Sequence, residues 1–261
     1  MKTQSLTVAL AVGLSVIGAN QLQAASLDLT AASASGSLNG AYFTNTDIGA
    51  TGTGLIKPFV RLQDIGVADG YNSNSATLMP DVKAGTWTHD ITLAEIPIVV
   101  NPGSATGSYY EFLLDINQTG ANSLLSLDSI MIYTRPTALT SAGTIADLTA
   151  APSVLRYNLD GNAANEILLN YALNSGSGSG DLFAYINVNN FAGAAGTDYL
   201  YFYSMFGNKG GDYADNDGFE EWAVRSVSPT KVPESGTSAL LVGLGLIAIG
   251  VARHNASRIR L

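Results

Sequence analysis

The 261-residue chain has no cysteine and only two histidines. Without cysteine there is no disulfide, no thiolate metal site and no cysteine nucleophile, although an exported protein is free to use all three. Positive charge is scarce as well: 12 Lys and Arg stand against 21 Asp and Glu. Between residues 25 and 231 the balance is 8 against 20, a net charge of −12, and such a surface repels nucleic acid and anionic lipid. A Ser-His-Asp triad needs a histidine to take the serine proton. Only His89 lies outside the last ten residues, and its neighbour Asp90 would point to the opposite face of a strand. The chain also lacks a G-x-S-x-G elbow, an H-E-x-x-H zinc helix and a phosphate-cradling glycine loop. Paired carboxylates of the glycosidase kind leave no spacing signature, so a glycoside hydrolase or lyase is the least supported reading.

Both ends of the chain carry targeting signals. Lys2 precedes an apolar run from Leu6 to Ile17 and a polar stretch ending Leu-Gln-Ala-Ala. That is the layout of a secretory signal peptide over residues 1–24, cleaved after Ala24, and its users are the Sec translocon and signal peptidase. At the other end, Val232, Pro233 and Glu234 precede an apolar helix expected over 238–252 and a basic end over 253–261. From Ala239 to Ala252 no residue is charged; that stretch would measure roughly 21 Å as a helix, against a hydrocarbon core of about 30 Å. Arg253, Arg258 and Arg260 hold the end in the cytoplasm by the positive-inside rule and put the rest of the chain across the membrane.

This three-part tail, residues 229–261 with the motif at 232–236, resembles the PEP-CTERM sorting domain of Gram-negative bacteria. Ser235 and Gly236 stand where the commonest motif has Pro and Ser. The resemblance implies recognition by an exosortase, a membrane-embedded cysteine transpeptidase that removes the helix and releases the protein or passes it to a surface acceptor. It implies a transient stay in the inner membrane, then the cell surface or extracellular matrix. It names a destination and no activity for the ectodomain.

Between the signals, residues 25–228 read as one all-β ectodomain, a β-sandwich or jelly roll, because short alternating apolar runs recur between Gly, Asn, Ser and Asp-rich turns. Strands are expected at 86–93, 96–100, 109–116, 129–134, 166–173, 181–188, 199–206 and 219–227. Eight strands are too many for one flat sheet of this size, so two packed sheets are expected. The stretch 174–181 reads as a surface loop and 226–231 as a linker to the sorting motif.

Two groups of residues carry possible chemistry. Tyr199, Tyr201 and Tyr203 fall on one face of a strand, with Leu200, Phe202 and Ser204 on the other. Such a row suits sugar stacking, which would make the domain a carbohydrate-binding module for exopolysaccharide, and equally suits the half-buried face of an ordinary strand. Asp212, Asp215, Asp217 and Glu220 form the densest carboxylate cluster and offer oxygen ligands for calcium. The EF-hand spacing fails, since Gly218 as sixth loop residue puts Tyr213 first and Val224 twelfth. A hairpin turn into the strand bearing Trp222 explains the same residues without a metal.

Overall fold

A computed structural model describes residues 24–45, 56–118, 122–161, 163–176 and 180–226. The expected signal peptide and the sorting tail, with Val232, Pro233, Glu234, Arg253, Arg258 and Arg260, lie outside the described residues. Among the described residues no helix is long and apolar enough to cross a membrane.

The chain is mostly β-sheet. In order, the strands are β1 (Ser26–Asp28), β2 (Ser35–Leu38), β3 (Ala41–Thr44), β4 (Ile56–Leu62), β5 (Ile65–Gly66), β6 (Ala68–Tyr71), β7 (Ile91–Thr92) and β8 (Ile98–Val100). They continue with β9 (Ser108–Asp115), β10 (Leu124–Arg135), β11 (Val154–Asn158), β12 (Glu166–Asn170), β13 (Leu182–Asn187), β14 (Tyr199–Phe206), β15 (Asp215–Asn216) and β16 (Glu220–Arg225). One helix, α1 (Ile145–Thr149), is capped at Thr144, whose hydroxyl accepts from the Asp147 N–H while the Asp147 carboxylate accepts from the Thr144 N–H.

Two seven-stranded sheets form a sandwich-like body. The first runs β1-β12-β10-β14-β6, with β11 also on β10 and β7 on β14. The second runs β2-β3-β13-β9-β16-β4, with β8 on β9. Apolar residues that alternate along these strands meet between the sheets: Leu200 and Phe202 of β14 pack with Phe59 of β4, Phe112 of β9 and Trp222 of β16. Phe202 is the hub of this layer, with ring centroids 4.4 Å from Trp222, 5.0 Å from Phe112 and 6.0 Å from Phe59. The Trp222 indole N–H donates to Ser204 Oγ at 3.1 Å, which satisfies the one polar atom that its burial would strand.

The first sheet is buried on both faces. Tyr201 and Tyr203 point away from the main core into a second cluster, with Tyr71 and Tyr133 of the same sheet and Leu139, Ala142 and Leu148 of the β10–β11 connection that carries α1. The outer face of the second sheet holds a third cluster of Tyr42, Tyr109, Leu113, Phe183 and Tyr185.

The expected strands at 109–116, 181–188, 199–206 and 219–227 correspond to β9, β13, β14 and β16 within one or two residues. Two others need correcting. Over 86–93 only Ile91–Thr92 is strand, because residues 85–88 fold back as a tight turn with Gly85 at φ 130°, and the Glu95 carboxylate caps a short 3-10 turn at Thr92. The strand at 166–173 ends at Asn170, whose side-chain oxygen accepts from the Ala172 N–H and starts a 3-10 turn. The strands before residue 72 and β11 were not expected, and β10 begins five residues before the expected 129.

Candidate functional site

Each tyrosine of the 199–203 row occupies a different environment. Tyr201 has no exposed surface, Tyr203 is buried and Tyr199 is half-buried. Backbone alternation puts all three on one face, and the β10–β11 connection covers that face. The hydroxyls of Tyr201 and Tyr203 are engaged. Tyr201 Oη accepts from the Leu139 N–H at 2.8 Å and donates to Asp90, and Tyr203 donates to Asp69 Oδ2 at 2.8 Å. Tyr71 packs edge-on against Tyr201 and donates to the Thr144 carbonyl at 3.0 Å. Burial and the neighbouring carboxylates push the Tyr201 and Tyr203 hydroxyls well above the usual phenol range, so both stay protonated and donate.

His89 and Asp90 go separate ways. His89 donates its main-chain N–H to the Phe59 carbonyl. The Asp90 carboxylate accepts from the Asn74 N–H and faces the Tyr201 hydroxyl.

The carboxylates of residues 212–220 divide into two kinds. Asp212 is exposed on a 3-10 turn, and its carbonyl accepts from Asn122 Nδ2. Asp217 is exposed at φ 73°, and its carbonyl accepts from Gln63 Nε2 at 3.1 Å. By contrast, Asp215 and Glu220 are buried and face each other. Asp215 Oδ1 accepts from the Asp217 N–H at 3.1 Å and closes the turn, which leaves its other oxygen toward Glu220. Among the described residues no group of three or more His, Cys, Asp or Glu is placed to hold a metal ion.

Three further features carry no obvious mark in the sequence. The first is on the outer face of the second sheet, where Arg61 donates to Glu221 Oε2 through Nη2 at 2.6 Å and Nε at 2.8 Å. Its guanidinium lies 4.1 Å from the Trp87 ring and 4.3 Å from the Phe219 ring, which fixes an indole that is still 45 % exposed. Phe219, Glu221 and Arg61 share that face because β4 and β16 are in register there, with Glu221 opposite Arg61.

A second feature is a cleft of about 290 Å³ lined by Arg135, Thr140, Ser141 and Asp147. Arg135 is buried there and donates to the Ala150 carbonyl and Ser153 Oγ.

The third is Asp181, which accepts from the Ile116 N–H at 2.8 Å and lies beside Asp115. Burial, reinforced by Asp115, pushes its carboxyl up to about 8. Glu111, without exposed surface, is paired to Arg225 on the same face.

Comparison with protein-family models, curated proteins and solved structures finds no match to the chain. The resemblance of the tail therefore rests on its own residues.

Because the Tyr201 ring fills space and its hydroxyl is bonded internally, Tyr201→Ala should destabilise the domain by about 3–5 kcal/mol in denaturant melts, and Tyr201→Phe by about 1–2 kcal/mol for the lost hydrogen bonds. Unchanged melting of both variants would show the row to be dispensable for packing.

Asp181 generates a prediction of stability against pH. Its carboxyl is raised in the folded state, so the unfolded chain releases this proton first as pH rises from about 4. Stability should therefore fall between pH 4 and about 8, by on the order of 1 kcal/mol per pH unit from this residue. Melts in chelator should show wild type more stable at pH 5 than at pH 8, and Asp181→Asn should flatten that slope. An equal slope in the variant would remove Asp181 from the account.

Proposed function

We propose that this chain is an exported cell-surface or extracellular-matrix protein, a jelly-roll-like ectodomain delivered by the Sec route and sorted by an exosortase through residues 229–261. The observation that carries the reading is the order of the last thirty residues: a V-P-E motif, an uncharged stretch of marginal span and an arginine end. A span this short suits a temporary anchor. A proline at position 233 disfavours helix at the residue before it and supplies no N–H, which supports a motif accessible outside the bilayer. The ectodomain contributes a cysteine-free acidic body held together by burial, in keeping with a scaffold or matrix role.

In the native host, the mature protein should end near Val232–Glu234, as read by intact mass. A mature species that still carries Ala239–Leu261 would refute the proposal. So would normal processing of a Pro233→Ala, Glu234→Ala double variant, or normal processing in cells lacking the exosortase.

A second reading, a module that binds exopolysaccharide, is favoured by one observation. Trp87 is held rigid against Arg61 and remains widely exposed, the arrangement in which an aromatic face stacks on a sugar ring at small entropic cost. This moves the candidate platform from the tyrosine row to Trp87, with Arg61 as its support. On a glycan array, Trp87→Ala should abolish any retention while Tyr199→Ala leaves it intact. Retention that survives the loss of Trp87 would reject the platform.

A further inference from the structure

The deepest electrostatic anomaly among the described residues is the pair Asp215 and Glu220. Glu220 has no exposed surface and Asp215 is 2 % exposed. Glu220 Oε1 and Oε2 and Asp215 Oδ2 have no hydrogen-bond donor. Gln118 Oε1 is also buried without a donor, while its amide nitrogen donates to the Leu124 carbonyl at 3.4 Å.

Two features bring these oxygens to one end of the sandwich. Glu221 is opposite Asp115 in the β16–β9 register, so Glu220 falls beside Ile116 on the inward side. Gly218 then approaches the Asn117 backbone so closely that an added Cβ would sit 1.4 Å from its carbonyl oxygen and 3.2 Å from the Gln118 nitrogen. The loop before β16 is thus pressed against residues 117–118. Asp215 is set over the same end by β15, which pairs with β5.

Two ionised carboxylates facing each other in a buried site, with no guanidinium or ammonium bonded to them and only the Glu220 main-chain N–H beside its own carboxylate, repel strongly and lose their hydration. Basic groups on neighbouring segments are paired with other acids: Arg61 is bonded to Glu221 and Lys209 to Glu166. Asp64 and Asp217 add further negative charge around Asp215. Either a cation or a proton must sit between the two acids. A divalent ion cancels their charge outright.

We propose that Asp215 and Glu220 bind a divalent cation of the calcium type, with the Gln118 amide oxygen as the third side-chain ligand. The donors are hard oxygens, without nitrogen or sulfur, which selects calcium over zinc or copper. Two carboxylates and an amide leave several of the six to eight coordination positions to main-chain oxygens and water. Asp212 and Asp217, exposed on turns, are not ligands. Binding locks the β15 segment and the start of β16 onto the end of β9. A site with this charge belongs with extracellular modules that bind in the range of about 10⁻⁴–10⁻³ M.

The rival is a proton shared by the two acids. It predicts the opposite pH behaviour, because burial and Asp215 raise the Glu220 carboxyl well above its usual range and that stabilisation is lost as pH rises.

The test uses the full-length chain in detergent. Terbium stands in for calcium, and excitation of Trp222 reads it out, since Glu220 and Trp222 are alternate residues on one strand face, roughly 7 Å apart. The expected result is sensitised terbium emission displaced by calcium, and a calcium-dependent rise in melting temperature of roughly 3–6 °C at ten times the dissociation constant. Both responses should vanish in Glu220→Gln and persist in Asp212→Asn. The proposal is overturned if wild type shows neither emission nor a calcium shift at pH 7.5. It is equally overturned if Glu220→Gln melts above wild type in both calcium and chelator, the signature of the shared proton. Should Glu220→Gln fail to fold, the two wild-type measurements decide alone.

Discussion

The Phe202–Trp222 contact joins the two sheets, and most of the architecture follows from keeping those rings buried. Phe202 sits on β14, at the centre of the first sheet, and Trp222 on β16, between β9 and β4 in the second. Their centroids are 4.4 Å apart, with Phe59 and Phe112 closing around Phe202. With no disulfide, and few ion pairs among the described residues, the sheets are held by apolar area and ring geometry. Once Trp222 faces inward, the pleat fixes its neighbours. Glu221 must face outward, where Arg61 meets it, and Glu220 must face inward, where no base does.

The first sheet is buried on both sides, and this determines what its polar groups can do. The aromatic row on β14 looks like a surface platform when its own strand is considered alone. It is covered because the β10–β11 connection folds back over it, and a connection of that kind leaves no periodic trace in β14. The consequence is a layer of phenol hydroxyls bonded to Asp69, Asp90 and main-chain groups, a polar lining between two apolar layers.

Legibility in the sequence followed local chemistry. The runs Y-Y-E-F-L-L-D, L-F-A-Y-I-N and Y-L-Y-F-Y-S-M-F are rich in aromatic and apolar residues, and each is a strand close to its expected bounds. The segments S-L-D, S-G-S-L and A-D-G-Y carry no such signal; β1, β2 and β6 are strands because a neighbour supplies hydrogen bonds and burial. Of the acidic cluster, Asp215 and Glu220 come together and Asp212 and Asp217 do not: Glu220 alternates with Trp222 and Asp215 is set by the β15–β5 pairing, while the other two lie in turns. That clue was present in F-E-E-W. For Trp87 there was none, since Arg61 and Phe219 reach it only through the β4–β16 register.

β16 is also the last described strand before the residues that lead to the expected sorting motif, and it is an interior strand. On one side it pairs with β4 from Glu220↔Leu62 to Arg225↔Ile56, and on the other with β9. Arg225 at its end is tied to the buried Glu111. A pull on the chain beyond Arg225 along the strand direction loads these two ladders in shear, with many hydrogen bonds strained together, whereas an edge strand would peel off one bond at a time. The body therefore meets tension applied from its C-terminal side with two ladders loaded in parallel.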